Sequence, residues 1–170
     1  MNNLEKQIDN FKYLYDFFDD YDKDHINDEN STIKDDYETL KINEVRNLIQ
    51  KLKNRYKACD NFGKEKDDTL NSTLNQINQS FFGKRIYNSL EQRAANLLYM
   101  LVKNHHFIDG NKRISAFLFL YFLQKNNFLY YKNKKIIGHK TLLLLILWIS
   151  ETTNKKRNII NVIIKMLKSY

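Results

Sequence analysis

The spacing of apolar residues along this chain predicts one helix after another. Leu4 to Phe18 carries apolar residues at 4, 8, 11, 14, 15 and 18, the i, i+3/i+4, i+7 pattern of an amphipathic helix. From Asp19 to Glu38 the chain turns acidic and loses that period, which reads as a loop or linker. Ile42, Val45, Leu48, Ile49 and Leu52 restore a helical face, with Lys51, Lys53 and Lys57 outside it. Phe62 to Asp68 reads as a turn in which Gly63 supplies the flexible backbone. A further helix is expected over Thr69–Gln79, burying Leu70, Leu74 and Ile77. Phe81 to Tyr87 breaks the period around Gly83, so a short extended segment or β-hairpin is expected there.

Ser89-Leu90-Glu91-Gln92 fits a capping box, Ser at the N-cap and Gln three residues on. The helix it opens turns Ala94, Leu97, Leu98, Leu101 and Val102 inward and ends near Asn104. A second helix, from about Asn111 to Lys125, is apolar almost all round and is expected to be the central, buried one. Asn126-Asn127 stops it. Phe128 to Ile137, followed by Gly138, suits two short strands or an irregular connection. Lys140–Ser150 and Asn158–Lys168 give two more helices. Proline is absent and glycine occurs four times in 170 residues, which agrees with long uninterrupted helices. The expected fold class is all-α.

Cys59 is the only cysteine, so no internal disulfide can form, and a reducing compartment is expected. The first residues have no apolar core of a secretory signal, and the longest apolar run, Leu142 to Ile149, is too short to span a membrane. A soluble cytoplasmic protein, or one handed on to a host cell, follows as the expectation, with no membrane partner. Charge is unevenly placed. Residues 1–68 hold 12 Lys and Arg against 17 Asp and Glu, whereas residues 69–170 hold 16 against 3. A basic half of this kind suits nucleotide phosphates, an acidic partner or nucleic acid, or is simply a solvated surface. Asp20-Tyr21-Asp22-Lys23-Asp24 imitates a calcium loop but has His25 where Gly is needed and Ser31 where Glu is needed, so calcium is not expected.

The chemistry gathers in His105-His106-Phe107-Ile108-Asp109-Gly110-Asn111-Lys112-Arg113, between the two apolar helices. Gly110 lets the backbone turn sharply and approach a ligand. The start of the next helix favours an anion, and Asn111, Lys112 and Arg113 add donors and charge. Asp109 suits a magnesium ion, which binds through one or two carboxylates plus phosphate oxygens. His105 has the pKa of a base working near pH 7. Each feature alone has an ordinary structural reading, as a solvated His or a helix cap. The two cations at a helix start oppose the dipole, a local conflict that an anionic ligand resolves.

These nine residues resemble the signature of the Fic/Doc family, His-x-Phe-x-(Asp/Glu)-Gly-Asn-(Gly/Lys)-Arg. Phe62 to Asp68, Leu97-Leu98-Tyr99 and Phe117-Leu118-Phe119 are similar to the Fic-type domain at the C-terminus of virulence-protein RhuM-like proteins. The resemblance covers about Phe62 to Leu167. It divides the chain into an N-terminal helical extension with its acidic loop, residues 1–60, and a Fic/Doc domain, residues 61–170, within one compact unit overall. It implies an all-α fold around a central helix with a β-hairpin flap that presents an extended target segment, placed by position at Phe81–Tyr87. It implies transfer of a phosphate-containing group from ATP or another nucleoside triphosphate, with Mg2+, to a protein Ser, Thr or Tyr hydroxyl. His105 would be the general base and Asp109 the metal ligand. Gly110 and Asn111 would form the anion cradle beside Lys112, Arg113 would hold phosphate, and Phe107 would anchor the loop in the core.

Two departures from the family pattern change the expectation. His106 stands where the family often has Pro, which alters loop rigidity without removing chemistry. Adenylylating members carry a second Arg three residues after the first, and here that position is Ala116, while Lys112 replaces a glycine. Both features resemble the death-on-curing branch, so phosphoryl transfer is favoured over adenylyl transfer. The rival from another class is a non-catalytic nucleic-acid or partner-binding module on the basic half, although nucleic acid is not the expected partner. The family's inhibitory pattern, (Ser/Thr)-x-x-x-Glu-(Gly/Asn), is also missing. Only Glu29 precedes an Asn, and His25 stands four residues before it. An antitoxin-like inhibitor is therefore expected on a separate chain or not at all.

Overall fold

Among the described residues, helices form where the apolar period is sustained, and they run almost to the expected residues. The computed structural model describes residues 37–153 and 155–169. The helix expected over Leu4–Phe18, the acidic stretch up to residue 36, the calcium-like Asp20–Asp24 and Glu29 lie outside the described residues. The described residues all fall in one compact unit, Asp35–Tyr170. In order they form α1 (Ile42–Arg55), α2 (Thr69–Ile77), a hairpin of β1 (Ser80–Phe81) and β2 (Lys84–Arg85), and α3 (Leu90–Asn104). Then come α4 (Asn111–Lys125), a second hairpin of β3 (Tyr130–Tyr131) and β4 (Lys134–Lys135), α5 (His139–Glu151) and α6 (Lys156–Lys168). The unit begins well upstream of residue 61, because Val45, Ile49 and Leu52 of α1 are buried in the same core as the loop-bearing helices.

The two helices that flank the loop make the centre together. In α4 the residues from Ile114 to Leu120, with Phe122 and Leu123, are buried, as expected of a helix apolar all round. The hub, however, is α3, which packs against α2, α4, α5 and α6. Its burial includes Arg93 and Asn96, which carry their own partners inward. Arg93 Nε donates to the Tyr87 carbonyl at 3.1 Å, and Asn96 Nδ2 donates to the Gln92 carbonyl at 2.8 Å. Polar residues of this kind hide the central position of α3 from a reading by apolar count. Each fully buried Leu or Phe contributes roughly 1.5–3 kcal/mol, so the layer of α3 against α4 holds the ends of both helices, and the loop between them, in place.

The capping box at α3 is present. Ser89 Oγ accepts from the Gln92 amide at 3.2 Å, and Gln92 Oε1 accepts from the Ser89 amide at 3.4 Å. Both short antiparallel hairpins turn on residues with positive φ, Phe82 and Gly83 in the first, Lys132 and Asn133 in the second. Positive φ at both central residues matches the right-handed twist of the flanking strands. The segments expected to be extended at Phe81–Tyr87 and Phe128–Ile137 are therefore hairpins with the same turn.

Candidate active site

The loop from His105 to Gly110 is a hinge of two left-handed residues with a laced segment between them. His105 ends α3 at φ 48° and ψ 55°, and Gly110 opens α4 at φ 87°. Gly110 is required twice over. A Cβ there would meet the Phe62 ring at 2.5 Å, and the positive φ strains any other residue. Phe62 in turn is buried beneath the loop.

The lacing comes from a turn that the sequence offered only as a connector. The Gly63 amide donates to the Asp109 carbonyl at 3.0 Å, Ile108 to Lys64 at 2.9 Å, and Lys66 to His106 at 2.9 Å. Residues 62–66 thus run beside 106–109 like a short sheet, with bridges between Phe62 and Asp109 and between Glu65 and Phe107. Glu65 secures that turn to α1 through two bonds from Arg46, 2.7 Å from Nε and 3.0 Å from Nη2. Gly63 is the second position where only glycine fits, because a Cβ would fall 2.2 Å from Ile49 Cγ2.

Each expected site residue can now be placed. Phe107 is buried, the anchor the sequence suggested. Asn111, expected in the anion cradle, is committed to the loop instead. Its Oδ1 accepts from the Phe107 amide at 2.9 Å, and its Nδ2 donates to the Phe107 carbonyl at 2.6 Å. Its side chain therefore shapes the cradle rather than lining it. The backbone donors for such a cradle would be those of the first turn of α4, whose amides have no intrahelical acceptor. Lys112 and Arg113 lie on that turn, both partly exposed. Arg113 donates to Asp109 Oδ2 at 3.2 Å and stacks over the Phe62 ring at 4.8 Å from its centroid. Ala116, one turn on, is buried.

His105 is exposed. Partial desolvation and the nearby positive charges of Lys66, Lys112 and Lys103 hold its imidazole below the usual histidine pKa. A neutral ring with an available lone pair is the form a general base needs. His106 faces the other way and is buried. Its Nδ1 lies 2.9 Å from Thr69 Oγ1.

Asp109 is the one acid of the loop. Its side chain is 43% exposed, enough to reach a ligand from solvent. No group of three or more metal-ligating side chains occurs among the described residues. A single accessible carboxylate would suit magnesium, which keeps waters and phosphate oxygens for most of its shell. It does not suit a metal held by protein ligands alone. The Cys59 thiol donates to the same Asp109 oxygen at 3.3 Å.

Sequence reasoning missed the roles of Thr69 and Asp67 and the pairing of 62–66 with the loop. The available signals were the turn at Phe62–Asp68 and its likeness to the Fic-type domain, and neither shows what that turn packs against. No helix among the described residues is long and apolar enough to cross a membrane. A model of the Fic/DOC family matches residues 39–123, half of the chain, from just before α1 to the last turn of α4. No curated relative and no solved structure matches the chain.

Proposed function

Because the chain belongs to the Fic/DOC family, we propose that it transfers the terminal phosphate of a nucleoside triphosphate to a protein hydroxyl. The observation that carries this reading is an exposed His105, its pKa lowered, followed six residues later by the start of α4, whose free amides suit an anion. The donor's phosphates sit on the first-turn amides of α4, with Arg113 and Lys112 supplying charge. Asp109 would hold Mg2+, which neutralises phosphate charge and orients the donor. His105 takes the proton of the target hydroxyl, the oxygen bonds to phosphorus, and the nucleoside diphosphate leaves with the bond's electron pair.

The choice of group rests on Ala116. A second cation there would hold the distal phosphates and turn the α-phosphate toward the hydroxyl, but a buried methyl offers no donor. Loss of one charge-assisted bond costs ~1.5–3 kcal/mol, enough to shift a binding mode about tenfold. The target enters along the first hairpin, whose Phe81 and Phe82 are 70% and 91% exposed and whose strands are only two residues long. An exposed strand edge of this sort accepts an extended peptide. An inhibitor, where one exists, is a separate chain that covers this site.

Labelled ATP and GTP incubated with a cell lysate test the reading, with His105→Ala as control. Wild-type protein should label a band that the variant does not. Intact mass of that band should show the gain of one phosphate. A gain of one nucleoside monophosphate would establish adenylyl-type transfer instead. An unlabelled lysate, with steeply salt-dependent binding to DNA, would favour the binding-module alternative.

A further inference from the structure

His106 is buried to 1% exposure, yet it is a charged-capable ring one residue from the base. Its hydrogen bonding has only one consistent assignment. Thr69 Oγ1 lies within hydrogen-bond distance of both Asp67 Oδ1 and His106 Nδ1. An ionised carboxylate only accepts, so the Thr69 hydroxyl proton goes to Asp67. The Thr69 oxygen must then accept, and the proton it accepts sits on His106 Nδ1. That leaves Nε2 with a lone pair, and Nε2 is buried with no partner among the described residues. A second proton on the ring would have no acceptor there. Asp67 is itself fixed, because the Thr69 backbone amide donates to the same Oδ1 at 3.0 Å at the start of α2.

We propose that His106 is a positioning residue: a neutral, Nδ1-protonated ring, tied through Thr69 to Asp67, that sets where His105 points. The backbone ladder of 62–66 against 106–109 ends at the bond from the Lys66 amide to the His106 carbonyl. The chain beyond it, His105, is a single left-handed residue leading into α3. The side-chain tie at His106 is thus the last fastening before the base. Without it, rotation about the backbone of 105 and 106 swings the imidazole away from the cradle. Geometry looser by about 1 Å at a reacting group lowers rate rather than binding.

This inference rests on the proposed role of His105, and its test separates the two. Four variants of the full chain are compared with wild type. His106→Asn keeps a donor where Nδ1 stands, His106→Gln moves it toward the Nε2 position, Thr69→Ser keeps the hydroxyl, and Thr69→Val removes it. Nitrogen NMR of the imidazole should report the Nδ1–H tautomer in wild type. Amide exchange at Lys66 and Ile108 should quicken in Thr69→Val and His106→Gln but not in Thr69→Ser or His106→Asn. Transfer should follow the same division, with kcat lower by about tenfold and KM for the nucleotide within roughly twofold, the effect of one hydrogen bond. An Nε2–H tautomer overturns the proposal. So does loss of kcat in His106→Asn equal to that in His106→Gln, or a Thr69→Val enzyme with unchanged kcat. If wild type transfers nothing while the tautomer and exchange results hold, the tie stands and the proposed reaction falls.

Discussion

Arg113 in the first turn of α4 donates to Asp109 just before that helix at 3.2 Å, so the residue expected to hold phosphate and the residue expected to hold the cation are partners of each other. Ligand binding must exchange this contact for two others, phosphate on the guanidinium and magnesium on the carboxylate. Neither ligand alone satisfies both groups. Nucleotide binding is therefore expected to depend on metal. Chelating Mg2+ should weaken nucleotide affinity by about tenfold or more, the worth of one charge-assisted contact. In Asp109→Asn that dependence should vanish, with affinity equal in the presence and absence of Mg2+. Titration calorimetry measures both, and a variant that still needs metal would place the cation elsewhere.

His105 stores backbone strain at the proposed site of chemistry. A non-glycine residue in the left-handed region costs roughly 1–2 kcal/mol, and here the residue is His. His105→Gly should thus unfold at a urea concentration equal to or above that of wild type while losing transfer. His105→Ala should also lose transfer, without any gain in stability. A His105→Gly protein that is clearly less stable would mean the ring itself braces the fold.

Two of the glycines with positive φ, Gly110 in the loop and Gly83 in the first hairpin, make a contrast. At Gly110 an added methyl meets the Phe62 ring at 2.5 Å, whereas at Gly83 it meets nothing within 4 Å. Gly110→Ala carries the conformational cost and a clash, about 2–4 kcal/mol together. Gly83→Ala carries the conformational cost alone, about 1–2 kcal/mol. Thermal melts of the two variants should rank them in that order.

Acid should act on the site through both histidines. The rings of His105 and His106 lie below the ordinary value of 6.5, each mainly because of desolvation. For His106 the facing charges are Asp67 and Glu65, which raise its pKa, and His105 and Lys66, which lower it. A group whose folded pKa is depressed contributes stability in full above its unfolded pKa and loses it as pH falls through the folded value. Stability should therefore decline on acidification below pH 6.5, and less so in His106→Asn. The acid limb of transfer should also lie below 6.5, and Lys66→Gln should move it upward by removing one of the charges that lower the His105 pKa.

Much of this protein could be read from the sequence because its information is local. Periodicity placed all six helices among the described residues within about two residues at each end, apart from their exact caps. The Ser89–Gln92 box, the stop at Asn126 and the glycine turn at Gly110 each depend on neighbours a few residues away. The nine-residue stretch that marks the family is likewise continuous in the chain. A continuous loop between two helices brings its own His, Asp and Arg together, since only a few residues separate them.

What the tertiary structure decided is which of those residues face a ligand and which face the fold. Asn111 looks like an anion donor in the sequence, but folding the loop back brings the Phe107 backbone to its amide, and that contact takes it. His106 differs from His105 only by position, yet one ring is exposed and the other buried. The left-handed turn at His105 rotates successive side chains to opposite sides, and only the packed 62–69 segment determines which side is inside. That segment reaches the loop across about 40 residues of sequence, and α3 lies between them. No local pattern encodes such a contact, because it exists only once α3 has packed between α2 and α4 and brought the turn against the loop.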